Sequence, residues 1–595
     1  MVSISLSQTP LKAKMLKLLG WLLLAAPLAL KGLYVDRFIY DYTGTRWLGL
    51  GQVIANDAVL FFAILLLGYV SLSPRLPRPA VALLRLTALA IWAVYWIDYA
   101  IIVNFNTHLA LGDAIKYTDY SLKYIRQIYG LSDAGLALLG AALAILPAYW
   151  VLARFPAVAT RRKWPLALIC SLPLATAFAE NERYAHAWIY KNVIDYNLTI
   201  LSEASPYSPA FRHALRYRET LSCQTAAPAA PNVIVLMVES LSAYQSRFFS
   251  GIEDWTPNLD AIAAEQRAYT QFYANGFITE DGEIALLTGI LPLYPPSSYS
   301  DDGGTSFHSF YDLPEALPRV LKPLGYRSEF LTTADLDFGN TGDWARRAGF
   351  DGVEGHDHPE YDRWERFHFQ AAPDEALYRR LMDRVAAQRG PYLLFAKTVS
   401  SHHPYINPET KEKSESAAIR YTDQQLGRFY RQLRASGFFD NGVLVIVGDH
   451  HSMTPLKKAE GERFGPFKAS ARVPLVLAGR GIPPGVEARP FQQIDVYHSL
   501  RGLIEGRQCH GDWIGDLLAG APPRFILHRR GDNRDMASLF SEDADYLIKL
   551  DGDATRLAGK APADPNLARE WLDKVNSARI ARADWAARQS AERSN

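Results

Sequence analysis

Five apolar stretches lie within the first 180 residues, at about 15–35, 51–72, 79–105, 132–153 and 164–180. Crossing the hydrocarbon of a bilayer takes about 20 mostly apolar residues. The chain is therefore expected to open with five transmembrane helices over 1–180. The first stretch follows Lys12, Lys14 and Lys17, but more spans come after it and "PLALKGLYV" is a poor cleavage site, so it is not read as a cleaved signal peptide. Cations cluster before span one, between spans two and three (Arg75, Arg78) and between spans four and five (Arg154, Arg161, Arg162, Lys163). Such loops face the cytoplasm, which puts everything after about residue 181 outside it, in a multi-pass membrane protein. The loop 106–131 mixes Tyr, Leu and Ile with Lys and Arg at near-helical spacing. It reads either as a helix in the membrane interface or as a polar connector.

Net charge is +1, so there is no global basic field of the kind that binds nucleic acid. Residues 181–230 read as a juxtamembrane linker ending in the Pro/Ala hinge "QTAAPAAP" (224–231). Beyond it the pattern changes. "NVIVLMV" (232–238), "RSEFLTT" (327–333), "YLLFAKTVS" (392–400), "GVLVIVGD" (442–449) and "VPLVLAG" (473–479) are short, continuous and apolar, with amphipathic helical patterns between them. Buried strands alternating with helices predict a mostly parallel sheet covered on both faces, over 231–550. The tail 551–595 reads as a charged helix fraying into disorder. Cys223 and Cys509 flank the exported domain, where a disulfide can persist. A bond between them and two free thiols are both open readings.

In such sheets ligands gather at the carboxyl ends of the strands. There the sequence places Glu239-Ser240, Asp449-His450-His451 and Ser401-His402-His403, with Thr279 after a further strand, "AYTQFYANG". Carboxylates, an imidazole and a hydroxyl converging on one edge suit a divalent metal with oxygen and nitrogen ligands. Thr279 is also expected to cap the helix it opens. A phosphoryl oxygen would be held at the same helix N-terminus.

The stretches "NVIVLMVESLSA", "TPNLDAIAAEQRAYTQFYANGFITEDGEIALLTG", "TVSSHHPY", "YTDQQLGRFYRQLRASGFFDNGVLVIVGDHH" and "VPLVLAG…QQIDVYHSL" resemble, in order, the motifs of lipoteichoic acid synthases and periplasmic-glucan phosphoglycerol transferases. These are members of the alkaline phosphatase/sulfatase superfamily. The resemblance covers residues 231–505, and in the membrane region only the number of spans agrees. It implies that Glu239, Thr279, Asp449 and His450 bind one divalent metal, manganese first and magnesium or zinc as alternatives. It also makes Thr279 the nucleophile. Trp344, Arg346 and His402 would line the polar-head pocket, with His403 as the alternative to His402 in the doubled histidine and His451 just outside the ligands. Arg346 would hold a phosphate by paired donors. His402 would protonate a leaving oxygen or hold the acceptor hydroxyl. The nucleophile position carries Thr279-Glu-Asp-Gly rather than the C/S-x-P-x-R of sulfatases, which argues against sulfate-ester hydrolysis. The expected activity is transfer of glycerol phosphate from phosphatidylglycerol to a glycan or a glycerol phosphate polymer. Phosphoethanolamine transfer, phosphodiester hydrolysis or an inactive lipid-binding regulator are the alternatives.

Overall fold

The computed structural model describes residues 10–39, 46–112, 135, 187–202, 207–215, 217, 219–296, 307–530, 536–542, 544–558 and 560–594. The chain divides into two units, one comprising residues 1–114 and 129–199, the other 115–128 and 200–595.

In the first unit three long helices, α1 (Pro10–Phe38), α2 (Arg46–Val70) and α3 (Arg78–Phe105), pack together. Among the described residues two segments, Val53–Val70 and Arg78–Asn104, are long and apolar enough to cross a membrane. Spans four and five, and most of the interfacial helix expected at 106–131, lie outside the described residues. Of its described part, 106–112, residues 106–110 are not helical and 111–112 are. The unit buries charge. Lys31 Nζ lies 3.0 Å from Asp57, Tyr95 donates to Asp57 at 2.6 Å, and His108 Nδ1 meets Asp98 at 2.9 Å. Ionisable groups at such depth persist only when paired, and each of these has its partner.

The second unit is built on an eight-stranded sheet: β2 (Asn232–Val238), β3 (Arg267–Tyr273), β4 (Arg327–Thr332), β5 (Gly352–Glu354), β6 (Tyr392–Lys397), β7 (Gly442–Gly448), β8 (Leu475–Gly479) and β9 (Gly485–Gln492). Its order is β5-β4-β6-β2-β7-β8-β3-β9. All pairs are parallel except those made by β8, which runs against β7 and β3. The central strands β2, β6 and β7 are buried almost throughout, which is why they read as unbroken apolar runs. Side chains of β2 alternate between two cores. Val233, Val235 and Met237 pack with Ile284 and Leu287, whereas Ile234, Leu236 and Val238 pack with Leu426 and Leu433.

A second sheet of four antiparallel strands, β11 (Ile526–Arg529), β12 (Met536–Phe540), β13 (Asp545–Lys549) and β14 (Arg556–Ala558), adjoins the helix Pro565–Ser594. This corrects the expected fraying tail. Trp571 is fully buried against Phe525 and Tyr546, and Trp585 Nε1 donates to Tyr311 O at 2.8 Å. The expected hinge also loses its first two residues, because β1 (Leu221–Thr225) pairs with β10 (Arg507–Gly511). Cys223 sits opposite Cys509 in that pair, and the two form a disulfide.

Candidate active site

The register of two strands brings the first carboxylates together. β2 and β7 are parallel neighbours with Val238 opposite Gly448, so the next residue of each, Glu239 and Asp449, leaves the sheet at the same point on its carboxyl edge. Ser240 takes a left-handed φ of 54° there. In that conformation its N–H donates to Asp449 Oδ1 at 2.7 Å and its hydroxyl to Glu239 Oε1 at 2.8 Å. Glu239 N–H donates to Thr398 Oγ1, at the end of β6, at 3.0 Å.

Thr279 arrives from β3. It opens α4 (Thr279–Thr288), whose N-cap is Ile278, not Thr279. The expected cap is therefore corrected. The hydroxyl makes no capping bond, because it is turned to a carboxylate and an imidazole, 3.3 Å from Glu239 Oε2 and 3.4 Å from His450 Nε2. Gly282 makes the approach possible, since a Cβ there would stand 2.8 Å from Asp449 O. Asp281 braces the turn from behind. It is fully buried and accepts from Phe277 N–H at 3.1 Å, Tyr294 OH at 3.1 Å and Arg529 Nη2 at 3.0 Å.

The electrostatics call for a cation. Ligand atoms of Glu239, Asp449 and His450 lie within 4.8 Å of one another, and all three residues are buried. Burial and the Asp449 charge push Glu239 up to about 8. Burial works against a charged His450, yet Asp449 and Glu239 push it up to about 10. Asp449 Oδ2 is buried and accepts no hydrogen bond, lying 3.2 Å from His450 Nε2. His450 Nδ1–H donates to His451 O at 2.8 Å, which leaves Nε2 facing the cluster as the nitrogen that would give up its proton to a cation. An orphaned carboxylate oxygen, a second carboxylate, an imidazole so oriented and a hydroxyl form a donor set that fits one divalent ion.

The remaining expected residues fall into two groups. His402 is half-buried beside the cluster, and Asp449 and His450 act on it electrostatically. Burial holds it down at about 4, so at neutral pH its Nδ1–H donates to His403 O at 2.6 Å and Nε2 is the acceptor. His403 packs instead on Tyr405. The His451 ring is bound to Glu460 at 2.9 Å, while its carbonyl is the acceptor of the His450 Nδ1–H bond. Trp344 is fully buried, stacked on Phe307 at 4.4 Å within the core. Arg346 is exposed and makes no ion pair among the described residues. Its Nη1 lies 3.3 Å from where a Cβ on Gly342 would stand.

One buried pair escaped sequence reading. Glu283 is fully buried one helical turn below Thr279, and Lys397 Nζ, from the end of β6, meets it at 2.6 Å. Two signals were available: the i, i+4 spacing of Thr279 and Glu283, and a lysine ending an otherwise apolar strand.

The mostly parallel sheet is that of an alkaline phosphatase/sulfatase-like domain. In agreement, residues 231–506 match the Sulfatase family, and this part of the chain is a sulfatase-family domain. Lipoteichoic acid synthase 1 of Bacillus subtilis (strain 168) is 24% identical over 331 residues, 51% of this chain and 50% of that protein. Phosphoglycerol transferase I of Xanthomonas campestris pv. campestris is 26% identical over 385 residues, 58% of this chain and 52% of that protein. The chain thus spans about half the length of the curated relatives it matches. The solved structure of the lipoteichoic acid synthase LtaP from Listeria monocytogenes is 20% identical with a TM-score of 0.48, covering 61% of this chain and 94% of that one.

Proposed function

We propose that this protein is a membrane-anchored phosphoglycerol transferase, which moves glycerol phosphate from phosphatidylglycerol to a hydroxyl of an envelope glycan or a glycerol phosphate polymer. The observation that carries the reading is the Thr279 hydroxyl, 3.3 Å from Glu239 and 3.4 Å from His450, beside the orphaned Asp449 Oδ2. The names of the two relatives support it.

Glu239, Thr279, Asp449 and His450 would hold one divalent ion, manganese first among the candidates. Such an ion lowers the pKa of a coordinated oxygen and offsets charge on a transferring phosphate. In the first half-reaction Thr279 Oγ attacks phosphorus in line, the bond from phosphorus to the diacylglycerol oxygen breaks, and that oxygen leaves with the proton given up by the threonine. In the second, an acceptor oxygen attacks the glycerophospho-threonine, the bond from phosphorus to Thr279 Oγ breaks, and the acceptor's proton ends on Thr279. In this reading His402, neutral with Nε2 as acceptor, takes the acceptor's proton. Arg346 supplies a guanidinium for the donor phosphate.

The reading includes five spans, with the catalytic domain on the periplasmic or extracellular side of the membrane. The Cys223–Cys509 disulfide fits that compartment. Anchoring keeps the site near its lipid donor. The test is to incubate the purified protein with fluorescent phosphatidylglycerol and manganese. Diacylglycerol release that disappears in Thr279→Ala is expected. No release by wild type, or equal release by both, overturns the proposal.

A further inference from the structure

Besides Ser240 and Tyr405, two further turns near the site hold non-glycine residues at left-handed φ. Asn340, Phe369 and Gln370 take left-handed φ values of 59°, 54° and 53°, and Gly339, next to Asn340 in the chain, takes 60°. A non-glycine residue held there costs about 1–3 kcal/mol and persists where its surroundings impose it. The turns are tied into one lip: Asp335 N–H donates to Phe369 O at 2.9 Å and Gln370 Nε2 to Asp335 Oδ2 at 3.4 Å.

This lip touches the chemistry at both ends. A Cβ on Gly339 would stand 2.8 Å from Glu280 Oε1, next to the nucleophile. At the other end the Phe369 ring sits edge-on to His402, centroids 4.7 Å apart and planes at 90°. Phe338 packs on Phe369 at 4.6 Å. Both phenylalanines are half-buried, and the side chains around them, Asp337, Asn340 and Gln370, are exposed.

We propose that Phe338 and Phe369 form an aromatic step on which a neutral sugar ring of the acceptor stacks, presenting its hydroxyl to His402. This rests on the phosphoglycerol transferase reading and names the acceptor class that reading leaves open. A pyranose has an apolar C–H face that complements the negative face of an aromatic ring, and a rim of amide and carboxylate groups suits its hydroxyls. A glycerol phosphate chain has no such face and needs cations along its length. The lip offers few. Arg366, behind it, is spent on His356 O, Gln370 O and Asp362, while Asp335 and Asp337 add negative charge. Repulsion of the polyanion is then part of the selectivity.

The test follows the fate of glycerol phosphate from fluorescent phosphatidylglycerol, using the full-length protein in detergent with manganese and three acceptors: water, a neutral β-glucan oligosaccharide and a glycerol phosphate oligomer. Wild type is expected to favour the oligosaccharide over the oligomer. Phe369→Ala should lower the ratio of oligosaccharide product to free glycerol phosphate by about tenfold, the loss of one stacking contact. Phe369→Trp, which keeps a ring, should hold that ratio within about twofold of wild type. An unchanged ratio in Phe369→Ala, an equal fall in Phe369→Trp, or oligomer preferred by wild type would each overturn the proposal. Calorimetric titration of the oligosaccharide into Thr279→Ala, with and without Phe338→Ala, provides an arm that needs no turnover. Binding weakened by Phe338→Ala supports the step, and equal or absent binding in both overturns it. If wild type releases no diacylglycerol, the transferase reading fails, and this binding arm still decides the step.

Discussion

The brace behind the nucleophile is the strongest quantitative prediction. Asp281→Ala removes a fully buried carboxylate and leaves Arg529, 6% exposed, without its two contacts at 3.1 and 3.0 Å. Breaking a buried pair from one side costs about 3–5 kcal/mol, mostly the cost of the stranded charge. The second unit has roughly 400 residues. At about 2.1 cal/mol/K per residue its unfolding entropy is about 0.8 kcal/mol/K, so the midpoint should fall by about 4–6 °C. Arg529→Met alone should cost a similar amount. The double variant should lose less than the sum of the singles, by about 2 kcal/mol or more, because neither charge is then left alone. Thermal unfolding of the four proteins in detergent, followed by tryptophan fluorescence, completes the cycle. Additive losses, or a fall of less than about 1 °C in Asp281→Ala, would refute the reasoning.

Asp449→Asn should purify without the stoichiometric divalent ion that elemental analysis is expected to find in wild type. Burial and Asp449 hold Glu239 up to about 8, and carboxylates hold His450 up to about 10, so a cation must displace protons. Its affinity should fall as pH drops from 9 to 7, with proton release seen by calorimetry in buffers of different ionisation enthalpy; pH-independent affinity would contradict this. The disulfide closes a separation of 286 residues. Chain entropy sets a ceiling of about 5–6 kcal/mol on its contribution, so Cys223→Ser/Cys509→Ser should melt up to about 7 °C lower. Trp571→Ala should cost about 3–5 kcal/mol, read from the same melts, because that side chain is fully buried.

The site was legible where chemistry follows directly from strand ends. β2 matches the apolar run 232–238, and the residue after each of β2 and β7 is a metal-ligand candidate because parallel strands in register end together. Thr279 was placed correctly at its helix start but given the wrong local bond, since propensity for capping says nothing about carboxylates 40 and more positions away. β9 was missed because "GVEARPFQ" has charges and a proline, which an edge strand tolerates and an apolar-run criterion rejects. The C-terminal helix was read as a tail because its net character is charged. Its buried face is a sparse stripe of Trp571, Val575 and Ala578 at helical spacing. Trp344 illustrates the opposite limit: a motif position named for the pocket is packed on Phe307 in the core. The Glu283–Lys397 pair joins residues 114 positions apart, so each residue carries a local signal in the sequence but their pairing comes only from the fold.

The account rests on Thr279 as the group that takes the glycerol phosphate. The most direct measurement is the intact mass of the full-length protein after brief exposure to phosphatidylglycerol and manganese without acceptor, followed by peptide mapping. A single glycerophosphate adduct on the peptide containing Thr279, absent from Thr279→Ala, is the predicted result. An adduct elsewhere, or diacylglycerol release with none at all under rapid quench, would contradict it.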